Sequence, residues 1–178
     1  MRYDLKPNSV EDILKLISRS HTGRKVLENF LPLYHKNKVA IDTYPADIVS
    51  QLRQVLPEGQ PIGACFTPNG GPNNGAVIYL DFTSPIGILA PFLVHEMVHA
   101  LDKRVWSGKT QNAGDVLFAV ESLAFETQFR FTQELKERDA EYETFLASHY
   151  PKAKILHTML TLEDIEQMYS GNNEPLAA

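Results

Sequence analysis

The chain has 178 residues, of which 43% are hydrophobic and 22% are charged, so we expect one ordinary globular domain with a substantial core. Its net charge of -5 argues against nucleic acid or an anionic membrane as a partner. The single cysteine, Cys65, excludes an intrachain disulfide, and the first residues lack the apolar run of a signal peptide, so we expect a cytoplasmic protein unless a leaderless route exports it.

Hydrophobic periodicity divides the first half of the chain into helices and strands. Helices are predicted over residues 9–18 and 21–30, and the second should end near Pro32. The remaining elements of this half are a strand over 38–44, a helix over 45–56, a strand over 61–67, a glycine-rich loop over 68–75 and a strand over 76–82. The last two strands are expected to form a hairpin.

The segment HEMVH, which begins at His95, matches the pattern H-E-x-x-H and is the most informative part of the chain. It lies in a predicted helix over 86–105 that is apolar on most of its surface, with Ser84 as the N-cap. Because residues four apart lie on one helix face, His95 and His99 can bind one zinc ion. Glu96 lies between them, close enough to take a proton from water at the metal.

A second buried helix is predicted over residues 116–131, and it supplies the candidates for a third metal ligand. Glu121 stands among apolar side chains, where a carboxylate needs a partner such as zinc. Glu126 is the alternative, but it lies about half a turn from the Glu121 face, so the two cannot point at one ion. We therefore favour Glu121 and expect Glu126 to be solvated or paired with Arg130.

Asp102 is the candidate for a group that supports the metal ligands. It follows His99 by three residues and therefore lies near the same helix face. Its carboxylate could accept a hydrogen bond from a histidine ring or pair with Lys103 or Arg104, and the sequence leaves both arrangements open. Trp106 ends this segment, and we expect it to pack at the helix end rather than to line a pocket.

The whole chain is expected to form one α+β domain, with a short N-terminal mixed sheet or hairpin followed by the HExxH helix and C-terminal helices. The metal core should occupy about residues 60–130 and the C-terminal helical part residues 135–170. Within that part, a charged helix is predicted to end near residue 149 and a last helix to cover 161–169. The tail over 171–178 is expected to be disordered.

The segment HEMVHALD followed by a helical glutamate resembles the gluzincin branch of the zincin metallopeptidases. The segment VESLAFE is similar to the N-E-x-x-[AS] helix of that branch, with Val120 where many members have asparagine. The resemblance implies a small zincin-like domain with one Zn²⁺ per chain, bound by His95, His99 and Glu121. It also implies Glu96 as the general base and a protein or peptide as the substrate. No H-E-x-x-H-x-x-G-x-x-H pattern is present, which argues against the metzincin branch.

The layout of about residues 20–130 is similar, more loosely, to that of small bacterial zinc proteases delivered as type III effectors. Zincins place an edge strand beside the metal, and an extended peptide pairs with it. We therefore expect the strand over 76–82, with Val77 and Tyr79 on one face, or the loop over 68–75, to border a substrate cleft. A purely structural hairpin is the alternative.

The alternative function is that of a zinc-stabilised zincin fold that is catalytically inactive and serves as a binding or regulatory protein. The intact Glu96 favours an enzyme, because a protein that only binds would tolerate the loss of that base. Substitution of Glu96 by glutamine separates the two functions, since it should abolish hydrolysis in an enzyme and change nothing in a binding protein.

Overall fold

The computed structural model describes residues 2–55, 62–71, 75–106 and 114–149. These form an α+β fold, as the sequence predicts, in which a small sheet packs against the helices. After a 3-10 turn at Arg2–Asp4, the described elements are α1 (Val10–Ile17), α2 (His21–His35), β1 (Val39–Thr43), α3 (Ala46–Val55), β2 (Ala64–Thr67), β3 (Ala76–Leu80), α4 (Ile86–Leu101), α5 (Lys103–Trp106), α6 (Gly114–Arg138) and α7 (Ala140–His149).

The described strands form one mixed sheet in the order β1-β3-β2. β2 and β3 pair antiparallel and so form the predicted hairpin. β1 pairs parallel with β3, from Val39 opposite Ala76 to Thr43 opposite Leu80. A parallel pair needs a long connection, and the chain between β1 and β3 contains α3 and β2. β3 is therefore the central strand, and β1 and β2 are its two neighbours at the edges.

Helix α4, which carries the HEMVH segment, lies at the centre of the core. All its residues from Gly87 to Ala100 are buried except Glu96. The helix packs against β2 and β3 and, on its other sides, against α1, α2 and α6. Ile78 and Leu80 of the central strand belong to the same core cluster as the side chains of α4. An almost completely apolar helix has to be covered on every side, which explains this position.

A proline inside α4 is matched by a hydrogen bond from α7. Pro91 has no N–H, so the carbonyl of Gly87, four residues earlier, has no donor within the helix. The hydroxyl group of Tyr142 donates a hydrogen bond to that carbonyl at 3.1 Å. Gly87 also permits close packing, because a Cβ atom there would lie 2.5 Å from the ring of Phe145. The start of α4 and the helix α7 therefore fit each other closely.

Helix α2 continues through Pro32 to His35, so the prediction that it ends near this proline is wrong. A proline removes one helical hydrogen bond. Its neighbours Leu31 and Leu33, however, pack against the hydrophobic core from within the helix. The packing of the last turn therefore outweighs the lost hydrogen bond. Local sequence signals do not show this packing, because it involves residues far away in the chain.

Helix α4 differs from the prediction at both ends. Pro85 is the N-cap residue, and Ser84 donates its hydroxyl hydrogen bond to Asp81 instead of capping the helix. The helix ends at Leu101 rather than at residue 105, because Asp102 has extended backbone angles. The short helix α5 follows this break.

Helix α6 continues to Arg138, where the sequence predicts one helix over 116–131 and a separate charged helix after residue 134. The buried side chains of Phe131 and Leu135 extend its inner face past the predicted end. Asp139 separates α6 from α7, and its carboxylate accepts a hydrogen bond from the first turn of α7. Charge on the outer face does not interrupt a helix whose inner face remains apolar.

Glu134 of α6 caps the N-terminus of α2. Its Oε2 accepts hydrogen bonds from the backbone N–H groups of His21 (2.6 Å) and Thr22 (3.0 Å), and its Oε1 accepts one from the Thr22 hydroxyl group at 2.6 Å. A helix leaves such N–H groups unsatisfied at its start. Burial raises the pKa of Glu134, but the hydrogen bonds from Thr22 and His21 outweigh burial and lower this pKa.

Replacing Glu134 with alanine should lower the free energy of unfolding at neutral pH by about 1–2 kcal/mol, the usual effect of losing a helix cap. Because folding lowers the pKa of Glu134, its stabilisation is complete above the ordinary value of 4.5 and is lost as the pH falls through the folded-state pKa. Urea unfolding at about pH 7 and about pH 3 measures both effects. Glu137→Ala, at an exposed position of the same helix, is the control. An equal loss of stability in both variants would contradict the capping role.

Among the described helices, none has the length and apolar character needed to cross a membrane. The helix predicted over 161–169 and the disordered tail predicted over 171–178 lie outside the described residues. Those two expectations stay predictions.

Candidate metal site

Three side chains from α4 and α6 converge on one point. The Nε2 atoms of His95 and His99 lie 2.9 Å apart. Glu121 places Oε2 3.4 Å from Nε2 of His95 and Oε1 3.4 Å from Nε2 of His99. One ligand atom from each side chain lies within 4.8 Å of the other two, so this group could hold a metal ion.

The packing of α6 on α4 buries this point. His95 and His99 are 4% and 8% exposed, and Glu121 is half-buried. Ala124, one turn after Glu121, is fully buried, and its small side chain allows the two helices to approach closely. The ring of Phe125 contacts that of His95 with centroids 4.5 Å apart. Polar groups buried to this extent need partners, and these three side chains contact one another.

The charges of the three groups are complementary. Burial raises the pKa of Glu121, but hydrogen bonds and charge interactions with His95 and His99 outweigh burial and lower this pKa strongly. Burial lowers the pKa of His99, but the hydrogen bond to Glu121 and the charges of Glu96, Glu121 and Asp102 leave it raised. Both pKa shifts have the same main cause, the attraction between the Glu121 carboxylate and the histidine rings that face it.

Glu126 does not join the cluster. It is exposed, and its Oε1 lies 2.5 Å from Nη2 of Arg130, four residues later on α6. The expected pairing of Glu126 with Arg130 is therefore confirmed. The periodicity of the helix separated the two glutamates correctly, because Glu121 faces α4 and Glu126 faces solvent.

Asp102 forms the ion pair that was one of its two expected arrangements. Its carboxylate accepts hydrogen bonds from the backbone N–H of Arg104 (2.8 Å) and from Nη2 of the same residue (2.6 Å). These hydrogen bonds lower the pKa of Asp102. No described residue forms a hydrogen bond to the buried Nδ1 of His99, so the other arrangement, a contact between Asp102 and this ring, is not found.

Glu96 connects α4 to the edge of the sheet. It is the one half-buried side chain between Gly87 and Ala100 of α4, and its Oε2 accepts a hydrogen bond from the backbone N–H of Phe66 in β2 at 2.8 Å. No hydrogen bond from a described residue reaches its other oxygen, Oε1. The base candidate is thus fixed by one oxygen, and its second oxygen accepts no hydrogen bond from the described residues.

The edge strand beside Glu96 is β2, so the prediction that residues 76–82 form that edge is wrong. These residues contain β3, whose two sides are paired with β1 and β2 and cannot accept another strand. Val77 is fully buried, and Tyr79 donates its hydroxyl hydrogen bond to the carbonyl of Gly70 at 2.8 Å. The crossover that brings β1 to the far side of β3 is a long-range feature, and the local pattern of residues 76–82 does not contain it.

The hydrogen-bond phase of the hairpin shows which backbone groups of β2 point outward. The N–H of Asp81 donates to the carbonyl of Gly63, so these two residues form a hydrogen-bonded pair. Along an antiparallel ladder, hydrogen-bonded pairs of residues alternate with pairs that are not hydrogen-bonded to each other. Ala64 and Phe66 therefore direct their backbone groups away from β3, and the bond from Phe66 to Glu96 agrees with this. The sequence analysis did not single out Phe66, because only the strand order makes it part of the site.

Trp106 contacts the end of α4 as expected, and part of its ring stays exposed. Its Nε1–H donates to the carbonyl of Ala100 at 2.8 Å. The loop over 68–75, the other predicted border of a cleft, is described only in part, up to residue 71 and at residue 75. Its described part lies near the face of β3 that carries Val77 and Tyr79, since Gly71 lies against the first and Gly70 accepts from the second.

Comparisons of the chain with models of protein families, with curated proteins and with solved structures gave no match. The functional proposal below therefore depends on the HEMVH segment, on Glu121 and on the geometry that brings them together. The zincin resemblance enters it only through those residues.

Proposed function

We propose that this protein is a zinc-dependent peptidase in which His95, His99 and Glu121 bind the metal and Glu96 is the general base. The observation that carries this proposal is the convergence of the three ligand side chains next to Glu96.

The donor set fits zinc. Two imidazole nitrogens and one carboxylate oxygen are ligands that zinc binds in hydrolytic sites, where the fourth position stays open for water or substrate. The Nε2 atoms of both histidines and both oxygens of Glu121 already face one another. When bound, zinc supplies a Lewis acid that makes water a stronger acid near neutral pH and polarises a carbonyl group.

The two carboxylate oxygens of Glu96 have different roles in the proposed reaction. Oε2 is held by the N–H of Phe66, which fixes the direction of the carboxylate. Oε1 is available to accept a proton from the attacking water and to return it to the nitrogen of the leaving amine. The hydrogen bond to the sheet thus positions the base, while the other oxygen moves the proton.

A peptide substrate would pair with the outer edge of β2. The outward backbone groups of Ala64 and Phe66 offer hydrogen bonds to an extended chain of any sequence. The N–H of Phe66 is already used by Glu96, so the carbonyl groups and the N–H of Ala64 are the groups that remain for the peptide. Since Phe66 bonds directly to the base, a peptide on this edge lies next to Glu96.

The inactive binding protein is the alternative, and one observation favours it. The hydrogen bond between Glu96 and Phe66 also ties α4 to β2, a structural role that does not need catalysis. Hydrolysis by the wild-type protein decides between the two functions.

The direct test is peptide hydrolysis with and without metal. Zinc-loaded wild-type protein should cleave members of a diverse peptide mixture, as shown by mass spectrometry of the products. Removal of the metal with 1,10-phenanthroline should abolish cleavage, and added zinc should restore it, because the three ligands retain their positions. A chelator analogue that does not bind metal is the control. Zinc-loaded, folded protein that cleaves no peptide would contradict the peptidase proposal and favour the binding protein.

A further inference from the structure

An aromatic pair, Phe66 and Trp106, lies beside the candidate general base. The ring centroids are 5.7 Å apart with the planes tilted by 57°, and the backbone N–H of Phe66 is the group bonded to Glu96. Trp106 is 39% exposed, so part of its ring faces solvent beside Phe66. We propose, on the basis of the peptidase function above, that this aromatic pair binds a large apolar side chain of the peptide substrate.

The position of Trp106 is fixed before any substrate binds. Asp102 ends α4 and holds the next turn through its hydrogen bonds to Arg104. The indole Nε1–H is bonded to the carbonyl of Ala100. Because the polar atom of Trp106 is already satisfied, the exposed part of its ring offers apolar surface only. A surface held in this way loses little conformational freedom on binding.

The strand geometry places one substrate side chain on this surface. Phe66 and its partner Ile78 point to the face of the sheet that packs against α4. In an added strand, the residue opposite Phe66 has its Cβ about 4.5–5.5 Å away on the same face. That side chain would therefore lie against Phe66 and next to Trp106. Its neighbours in the peptide would point to the other face, where Cys65 and Tyr79 lie opposite each other in the hairpin.

The apolar character of the aromatic pair indicates which substrate side chains it would bind. A phenylalanine, leucine or methionine side chain would cover the exposed indole ring and remove both apolar surfaces from water. An alanine would leave the ring exposed, and a lysine would lose solvation without gaining a charged partner from the aromatic pair. We expect selection of peptides by one large apolar residue near the bond that is cleaved.

Trp106 is the sole tryptophan of the chain and can report binding directly. Capped hexaglycine peptides that carry phenylalanine, leucine, alanine or lysine at one central position are titrated into zinc-supplied Glu96→Gln protein, and the tryptophan fluorescence is recorded. The phenylalanine and leucine peptides should bind about tenfold more tightly than the alanine peptide. They should also move the emission of Trp106 to shorter wavelength, because they displace water from the ring.

Variants of Phe66 and of a distant aromatic residue test whether the aromatic pair causes the preference for large apolar side chains. Phe66→Ala in the Glu96→Gln background should remove most of the preference for the large apolar side chain. The affinities are measured by calorimetry. If the alanine variant does not fold, Phe66→Leu is used in its place. Phe129→Ala removes an aromatic side chain that is 41% exposed on α6 and should leave the preference unchanged. Equal affinities for the phenylalanine and alanine peptides, no binding of any peptide, or a preference that survives Phe66→Ala would overturn the proposal.

Failure of this proposal and failure of the peptidase proposal give different results. The same peptides are therefore offered to wild-type protein, and zinc content and cleavage are measured. A zinc-loaded enzyme that cleaves without regard to the central side chain overturns only the role of the aromatic pair. A clear preference in binding without any cleavage supports the aromatic pair and overturns only the peptidase function.

Discussion

Glu96→Gln should lower kcat/KM for peptide hydrolysis by about 10²–10⁴, the usual contribution of a positioned base, and leave the zinc content unchanged. The glutamine carbonyl can still accept the hydrogen bond from Phe66, so the link between α4 and β2 is preserved. What the variant loses is an oxygen that can take up a proton. The substitution therefore tests proton transfer separately from structure.

Three measurements make this test decisive. Hydrolysis is followed with a peptide that the wild type cleaves, zinc per chain by elemental analysis, and folding by circular dichroism. Glu126→Gln is the matched control, because it neutralises a glutamate on the exposed face of α6 that pairs with Arg130. A Glu96→Gln protein that is folded, zinc-loaded and fully active would remove Glu96 from the mechanism.

Glu121→Ala should reduce the zinc content from about one ion per chain to near zero in a folded protein, since only two of the three ligands remain. Zinc binds the folded state, so it should raise the melting temperature of the wild type and have little effect on this variant. Both quantities come from elemental analysis and from thermal unfolding with and without added zinc.

Glu126→Ala is the control for Glu121→Ala, because both remove a carboxylate from the same helix. It should retain about one zinc ion per chain and the rise in melting temperature. Loss of zinc with Glu126→Ala and retention with Glu121→Ala would move the third ligand to the other glutamate. Wild-type protein that takes up no zinc when the metal is supplied would dismiss the site altogether.

The three side chains that could hold a metal ion were predictable because the argument for them depends on local helix geometry. The spacing of His95 and His99 and the apolar neighbours of Glu121 follow from residues within one or two turns. The choice between Glu121 and Glu126 needed only the helical period, and the structure brings the first into the cluster. The α+β class and the hairpin of β2 and β3 were likewise visible in the pattern of short strands and turn residues.

The position of the edge strand beside Glu96 was not predictable in the same way. Which strand is an edge depends on where β1 pairs, and that pairing joins residues about 37 positions apart in the chain. β3 is buried at four of its five positions, which fits a central strand, but its own residues do not show which strands pair with it. The roles of Phe66 and Trp106 depend on this strand order and on the turn at Asp102, neither of which has a local signal.

The central position of α4 has a consequence for how the site comes into being. A helix that is buried from Gly87 to Ala100, apart from one side chain, has no face that water stabilises. It cannot persist as an autonomous folding unit while the sheet and its neighbouring helices are unformed. We therefore expect the two histidines of α4 to face Glu121 only once α4 is packed in the folded core.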